Sequence, residues 1–326
     1  MASKALTVND EARVALVSCM RNEGVFSLEW LAYHIALGFE RIFVVTNDCR
    51  DGSNVLFDRL EEFGVLVHVP QDVPEGASPQ DLGMDLVLAQ LRLDGQSHVL
   101  HIDSDEFLHV PEGLEVVMKA TRGADVVPVP WRLFGDGGMR HWKPGDLVVA
   151  QNLRAEPAPV PGQSKSKCFF RVDSFARATD HNPLEPLVDD PVVMNPDGDV
   201  LENKSLYQKK AARFRPHDVA VRGRNAVLFH YAIRSEDCFL MKNDRGDGQG
   251  KRGEIKYHLG SHWHRMANRN DVEERAMLSH VPKLSETLAE WRSDPELARL
   301  EKACQDWFLS RRAKVLTPER RKAWSR

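Results

Sequence analysis

The first hundred residues alternate between short apolar runs and amphipathic stretches of helical period, and this restricts the chain to an α/β architecture. Residues 13–20 are β-rich; in residues 24–37, Phe26 and Trp30, then Leu31 and Ile35, stand at i, i+4, with Gly38 in the helix-stopping position. Residues 41–46 read as a second strand, 54–63 as a second amphipathic helix and 65–69 as a third strand. Ser78-Pro79-Gln80-Asp81 is a helix start, with Ser as N-cap, Pro at the first helical position and an acid three residues after the cap. That helix runs to about Leu93, and residues 98–102 form a fourth strand. Such βαβα order requires a mostly parallel sheet with helices on both faces. From Trp131 onward the pattern loosens: 135–138 and 156–162 look like loops, 167–172 and 226–233 like later strands. Helical segments resume near Asp271 and fill most of the tail.

Ligands of open parallel sheets sit outside the carboxyl ends of the strands. The polar clusters Arg21-Asn22-Glu23, Asn47-Asp48 and Asp103-Ser104-Asp105 all fall at those ends. The last is the most informative. An apolar run ends in two carboxylates one residue apart, and Glu106 follows at once. On an extended strand, alternate side chains share a side, so Asp103 and Asp105 are expected to point the same way. Two hard oxygen ligands so placed suit Mg²⁺ or Mn²⁺ that still carries waters and substrate phosphates. A cation also removes the repulsion of like charges, and removing Asp105 is expected to cost the fold little. An isolated Asp-x-Asp is equally readable as a solvated turn; the preceding apolar run favours the ligand reading.

Composition narrows the class further. The chain has 326 residues, enough for one large domain or two modest ones, and a formal charge of −4 argues against a general nucleic-acid binder. The start lacks the apolar core of a signal peptide, and no apolar run approaches the roughly 20 residues of a spanning helix. Five scattered cysteines without a CxxC read as reduced thiols, so a cytoplasmic protein is expected. There is no GxGxxG and no GxxxxGK[ST], which disfavours a dinucleotide fold or a Walker-type NTPase. Asn or Asp at a strand end can bond ribose hydroxyls or a uracil-like edge, yet the same residues dominate ordinary turns. The basic tail, Arg311-Arg312-Ala313-Lys314 and Arg320-Arg321-Lys322, reads either as a solvated helix or as a peripheral contact with an anionic membrane surface. His262-Trp263-His264 is no metal pair on a helix, because i and i+2 do not share a face.

Asn22-Glu23-Gly24, Glu29-Trp30, His34, Leu37-Gly38-Phe39 and Asn47…Asp51-Gly52 resemble the opening of family 2 glycosyltransferases, in a bacterial group similar to family 92. The resemblance continues through Asp103-Ser-Asp105-Glu106-Phe107, Trp131, Lys165 and Lys167, Arg171, His181, His230-Tyr231, Ser235, Phe239 and Lys242, and so covers roughly residues 13–246. It implies a GT-A (Rossmann-like) domain over residues 1–255, a mainly helical extension over 256–326, and transfer of a sugar from a nucleoside-diphosphate donor with Mn²⁺ or Mg²⁺. The acceptor would be a glycan, a lipid or a lipid-linked glycan. By position, Asn22, Glu23, Asn47 and Asp51 would line the nucleotide half of the site. Asp103 would touch ribose or the donor sugar and share the metal with Asp105. His230 is either a further metal ligand or a satisfied core histidine. Lys242 and Arg245 would neutralise the diphosphate at the mouth of a glycine-rich lid, residues 243–253. The family's polar residues after Phe-Gly are replaced here by Asp136-Gly137-Gly138, which leaves Asp136 as the available base.

Two other readings compete. A haloacid-dehalogenase-type phosphatase also sets Asp-x-Asp after a strand, but near the chain start, whereas three β/α units precede Asp103 here. A nucleotide-sugar-binding protein that kept the fold and lost its base is the non-enzymatic alternative.

Overall fold

The computed structural model describes residues 12–202, 207, 218–246 and 255–325. It opens with β1 (Val14–Met20), α1 (Gly24–Ala36), β2 (Arg41–Thr46), α2 (Ser53–Glu62), β3 (Val67–Pro70), α3 (Pro79–Leu93) and β4 (His98–His101). These are the seven elements that periodicity and capping predict, each within two residues of its expected bounds. Ser78 caps α3 as expected, its Oγ accepting from the Asp81 amide at 3.4 Å. There follow β5 (Glu106–His109), α4 (Leu114–Ala120), β6 (Val126–Leu133), α5 (Val148–Gln151), β7 (Arg154–Ala155), β8 (Ser166–Arg171), β9 (Phe175–Ala178), β10 (Pro183–Pro186) and β11 (Val227–His230). The chain closes with α6 (Glu236–Arg245), α7 (His262–Ala267), β12 (Val272–Glu273), α8 (Val281–Arg292), α9 (Pro295–Val315) and α10 (Pro318–Ala323). Helix thus returns at His262, before the expected Asp271.

The main sheet has eight strands in the order β3-β2-β1-β4-β8-β6-β11-β5. All but β8 and β5 run the same way, so the sheet is mostly parallel. Strand β1 shows why both faces must be covered. Val14 and Leu16 enter one core, with α1 and α2 residues such as Trp30 and Leu56; Ala15 and Val17 enter the other, with Met84 and Leu88 of α3. Such two-sided burial is what makes its sequence continuously apolar.

Helices α8 and α9 belong to the first of these cores, through Leu284, Leu288, Leu300, Cys304 and Phe308. Cys304 lies so close to Gly24 that a Cβ there would meet its Sγ at 2.5 Å. The glycine that opens α1 is therefore required by close approach of α9.

The basic tail is partly spent within the molecule. Arg311 holds both oxygens of Asp244, at 2.8 and 2.7 Å, Arg312 donates to the Trp142 carbonyl at 2.9 Å, and Arg321 pairs with Glu236 at 3.2 Å and with Asp237. These arginines help dock the C-terminal helices, while Arg311 itself and Lys314, Arg320 and Lys322 stay exposed, in keeping with the solvated-helix reading. No helix among the described residues is long and apolar enough to cross a membrane.

Candidate active site

Strands β1, β2, β4 and β11 deliver their carboxyl ends to one cleft of about 220 Å³, lined among others by Glu23, Asn47, Gln80, Asp103, Asp105, Trp131, His230, Lys242 and Arg245. This is where an open parallel sheet exposes backbone and polar side chains to a ligand. The acidic stretch is not extended, however. After β4 the chain turns, with the Glu106 amide donating to the Asp103 carbonyl at 3.0 Å, so the alternation argument for Asp103 and Asp105 does not hold.

That turn is fixed from several sides. Arg234 donates to the Ser104 carbonyl at 2.8 Å, the Tyr231 amide to the Asp105 carbonyl at 2.8 Å, and the Trp30 indole to the Glu106 carbonyl at 2.8 Å. The Asp103 amide donates to Glu106 Oε2 at 2.8 Å. On β5, Tyr33 Oη donates to the Leu108 carbonyl at 2.8 Å, while the Leu108 amide donates to His34 Nε2 at 3.3 Å. His34 Nδ1 therefore carries the proton and gives it to the Trp30 carbonyl at 2.8 Å. Burial pushes His34 down to about 3, so it stays neutral in this role. Glu29 accepts from the Val148 and Val149 amides at 2.9 and 3.0 Å and holds the start of α5. The Glu29-Trp30…His34 motif is thus a scaffold that fixes the carboxylate turn and the neighbouring loop, and none of the three residues is among those lining the cleft.

Each aspartate of the turn has its own lysine. Asp105 is buried; its Oδ2 accepts from Lys242 Nζ at 2.7 Å and its Oδ1 lies 3.4 Å from His230 Nε2. Burial alone would raise this carboxyl, but Lys242 and then His230 outweigh it and hold it well below the usual carboxylate range. Asp103 takes Gln80 Nε2 on Oδ1 at 2.6 Å and Lys167 Nζ on Oδ2 at 3.4 Å. Lys167, fully buried on β8, also donates to the Asp180 carbonyl at 2.6 Å. Burial opposes its charge, yet Asp103 and Glu106 keep it protonated. Glu106 lies 3.9 Å from the same ammonium, and burial drives its carboxyl well above the usual range.

The remaining predicted residues divide. Glu23 lines the cleft but is paired with Arg234 at 3.1 Å and with Arg245, joining the end of β1 to the end of α6. Asn47 lines it too. Asp51 does not. Its Oδ2 accepts from the Gly24 amide at 3.0 Å and its Oδ1 from the Ser53 amide and hydroxyl at 2.9 and 2.6 Å, so it is consumed in anchoring the starts of α1 and α2. Asn22 accepts from the Arg50 amide at 2.7 Å and faces a neighbouring cleft instead. Asp136 is not at this cleft either: its oxygens go to the Gly138 amide at 2.8 Å and to Asn268 at 3.0 Å. Residues 243–245 of the expected lid are the last turn of α6, and residues 247–254 lie outside those described. Sequence reasoning missed Gln80, Asp180 and Arg234 as parts of this site, whereas Trp263 belongs to a stretch, His262-Trp263-His264, readable as a substrate loop or as purely structural. Arg234 carried a faint signal only in retrospect: it follows His230-Tyr231, and it adopts a left-handed φ of 57°, held by Asn152 donating to its carbonyl at 2.6 Å.

Among the described residues no group of three or more His, Cys, Asp or Glu is placed to hold a metal, so a divalent cation of the Mg²⁺ or Mn²⁺ class would have only Asp105 and His230 as protein ligands. Burial, the largest influence on His230, lowers its pKa against the opposing effect of Asp105, which favours the neutral imidazole that a metal ligand must be. Its Nε2 faces the Asp105 carboxylate at a distance too long for a strong hydrogen bond but within reach of a shared ion, and its Nδ1 is buried without a partner among the described residues. Two protein ligands are few, which leaves positions for water and phosphate oxygens. Asp103, held by Gln80 and Lys167, is placed beside this pair as a hydrogen-bonding group.

No protein-family profile matches the chain. A glycosyltransferase family 92 protein of Ricinus communis is 31% identical over 150 residues, covering 43% of this chain and 26% of that protein. The chain thus spans about a quarter of the relative's length. That relative carries the name of family 92, to which the bacterial group resembled by the chain's Asn-Glu-Gly, Glu-Trp and Asp-Ser-Asp-Glu-Phe motifs is similar. Among solved structures, residues 1–349 of S. aureus TarS superpose with a TM-score of 0.40 at 13% identity, over 96% of this chain and 83% of that one. The same protein in complex with UDP-GlcNAc gives 0.33 at 15% identity over 49% and 45%. Core-mannan synthase A of Aspergillus fumigatus, in its Mn/GDP form, gives 0.26 at 11% identity over 40% and 45%.

Proposed function

We propose that this chain is a metal-dependent glycosyltransferase that moves a sugar from a nucleoside-diphosphate donor to a glycan or lipid-linked acceptor. One observation carries the reading: a buried carboxylate, Asp105, flanked by His230 and by Lys242, at the carboxyl ends of parallel strands in an open cleft. Asp105 and His230 would hold Mn²⁺ or Mg²⁺, which when bound supplies positive charge to the departing diphosphate.

The chain's own residues account for the rest. Lys242 places an ammonium on the other face of Asp105, where it stabilises negative charge that grows on the leaving phosphates. Arg245, steadied by Glu23, does the same from the end of α6. Asn47 and Glu23, at the ends of β2 and β1, suit the nucleoside, and Asp103, oriented by Gln80, suits a ribose or donor-sugar hydroxyl. Trp131 and Trp263 line the same cleft, with the Lys165 ammonium over both rings at 5.4 and 5.2 Å. Of the lid expected over residues 243–253, Arg245 stands at the cleft wall as the last residue of α6.

The test is turnover of UDP-, GDP-, dTDP- and CMP-linked sugars with Mn²⁺, with EDTA as control. Release of free nucleotide from at least one donor, abolished by EDTA and restored by Mn²⁺, is the expected result. Tight donor binding without any release would favour the non-catalytic binding protein instead. Full release in EDTA would remove the metal from the scheme.

A further inference from the structure

A second cleft of about 430 Å³ lies next to the first and shares Arg21, Arg245 and Gly246 with it. It opens between the loops after β1 and β2, the end of α6 and the face of α9 that carries Trp307. Five basic side chains and two acidic ones line it. The acids are already committed. Both oxygens of Asp244 are held by Arg311, and Asp48 Oδ2 accepts from Asn47 at 3.0 Å with Arg21 at 3.9 Å. Arg245 is balanced by Glu23. Arg50 and Lys314 face the same cleft from opposite sides, both exposed, and neither has an acidic partner among the described residues.

From this imbalance we infer that the second cleft binds a phosphate-bearing acceptor. The residual cationic charge in this concave site is that of Arg50 and Lys314, and the guanidinium fork of Arg50 matches phosphate oxygens. The half-buried Trp307 gives the same cleft an apolar and aromatic wall for the body of the ligand. Because the two clefts share a wall, an occupant of the second lies beside the donor position in the first. The phosphate could belong to a soluble phosphoglycan or to a lipid headgroup, and the chemistry recognised is the same. The assignment as acceptor site rests on the donor reading of the first cleft; the phosphate site itself does not.

The full chain is titrated with glycerol 3-phosphate and, separately, sedimented with phosphatidylglycerol vesicles, each with and without saturating UDP and Mn²⁺. The variant is Arg50→Glu/Lys314→Glu, two exposed positions outside the donor cleft, checked by its melting temperature. Wild type is expected to bind at least one probe, unaffected by UDP, and the variant to bind it at least tenfold more weakly with UDP affinity within twofold. Binding of vesicles alone assigns a lipid headgroup, and binding of glycerol 3-phosphate a soluble source. The inference is overturned if wild type binds neither probe, if the variant binds equally well, or if UDP displaces the probe. Failure of UDP to bind wild type would defeat the donor reading, and the phosphate titration would still be decided by the variant.

Discussion

Removal of Asp105 tests the charge arrangement of the cleft through stability alone. The carboxylate and Lys242 are both nearly out of water, at 10% and 11% side-chain exposure, and 2.7 Å apart. Asp105→Ala strands the ammonium, and breaking a buried pair from one side costs about 3–5 kcal/mol. Lys242 keeps its bond to the Ala232 carbonyl at 2.7 Å and opens onto the cleft, which puts the expected loss near the lower end, about 3 kcal/mol. Urea unfolding in EDTA reads this as a midpoint shift of roughly 1 M for an m-value of about 3 kcal/mol/M. Lys242→Met in the Asp105→Ala background should recover part of the loss, with a coupling of about 1–3 kcal/mol across the double-mutant cycle. A midpoint that hardly moves in Asp105→Ala, with m unchanged, would refute the argument and restore the surface carboxylate expected from sequence.

Two further substitutions separate scaffold from site. Burial raises the Glu29 carboxyl from 4.5 to about 7 against the lowering effect of the Val149 and Val148 amides and Arg234. The unfolded chain therefore loses this proton first, and stability falls by about 3 kcal/mol as pH rises from 4.5 to 7, with no contribution to the slope outside that window. Glu29→Gln should flatten that slope in urea midpoints measured from pH 4 to 8; parallel curves for the two proteins would contradict it. Asp51→Ala should cost about 1–2 kcal/mol through loss of its bonds at the starts of two helices, and leave nucleoside-diphosphate affinity within twofold by calorimetry. A tenfold loss of affinity at unchanged stability would return Asp51 to the nucleotide pocket.

What was legible in the sequence follows from how local each signal is. The β/α order of the first hundred residues, the α3 cap and the polar strand ends are set by neighbours in sequence, and the structure keeps them. Asp51 and Asp136 were misplaced for one reason: an Asp that can bond a ribose hydroxyl or act as a base can equally bond backbone amides at a helix start or turn, and both do. The pairing of Asp103 with Lys167 and of Asp105 with Lys242 spans 64 and 137 residues, and nothing local marks it. Trp30 is a similar case. Its position on α1 is legible, but its bond to the Glu106 carbonyl, 76 residues on, depends on the packing of α1 against β5.

The long-range pairs also explain how an acidic turn can sit in a cleft built to receive an anion. A bare Asp103/Asp105/Glu106 cluster would repel a diphosphate and its own members. Lys167 from β8 and Lys242 from α6 offset the two aspartates, and burial pushes the Glu106 carboxyl well above the usual range, so the negative charge on the floor of the cleft is reduced. A cation held by Asp105 and His230 would arrive beside Lys242, which repels it, so its binding is favoured when phosphate oxygens come with it. Under the proposed function, the same arrangement that lets the acidic turn fold without metal would tie the metal to the nucleotide.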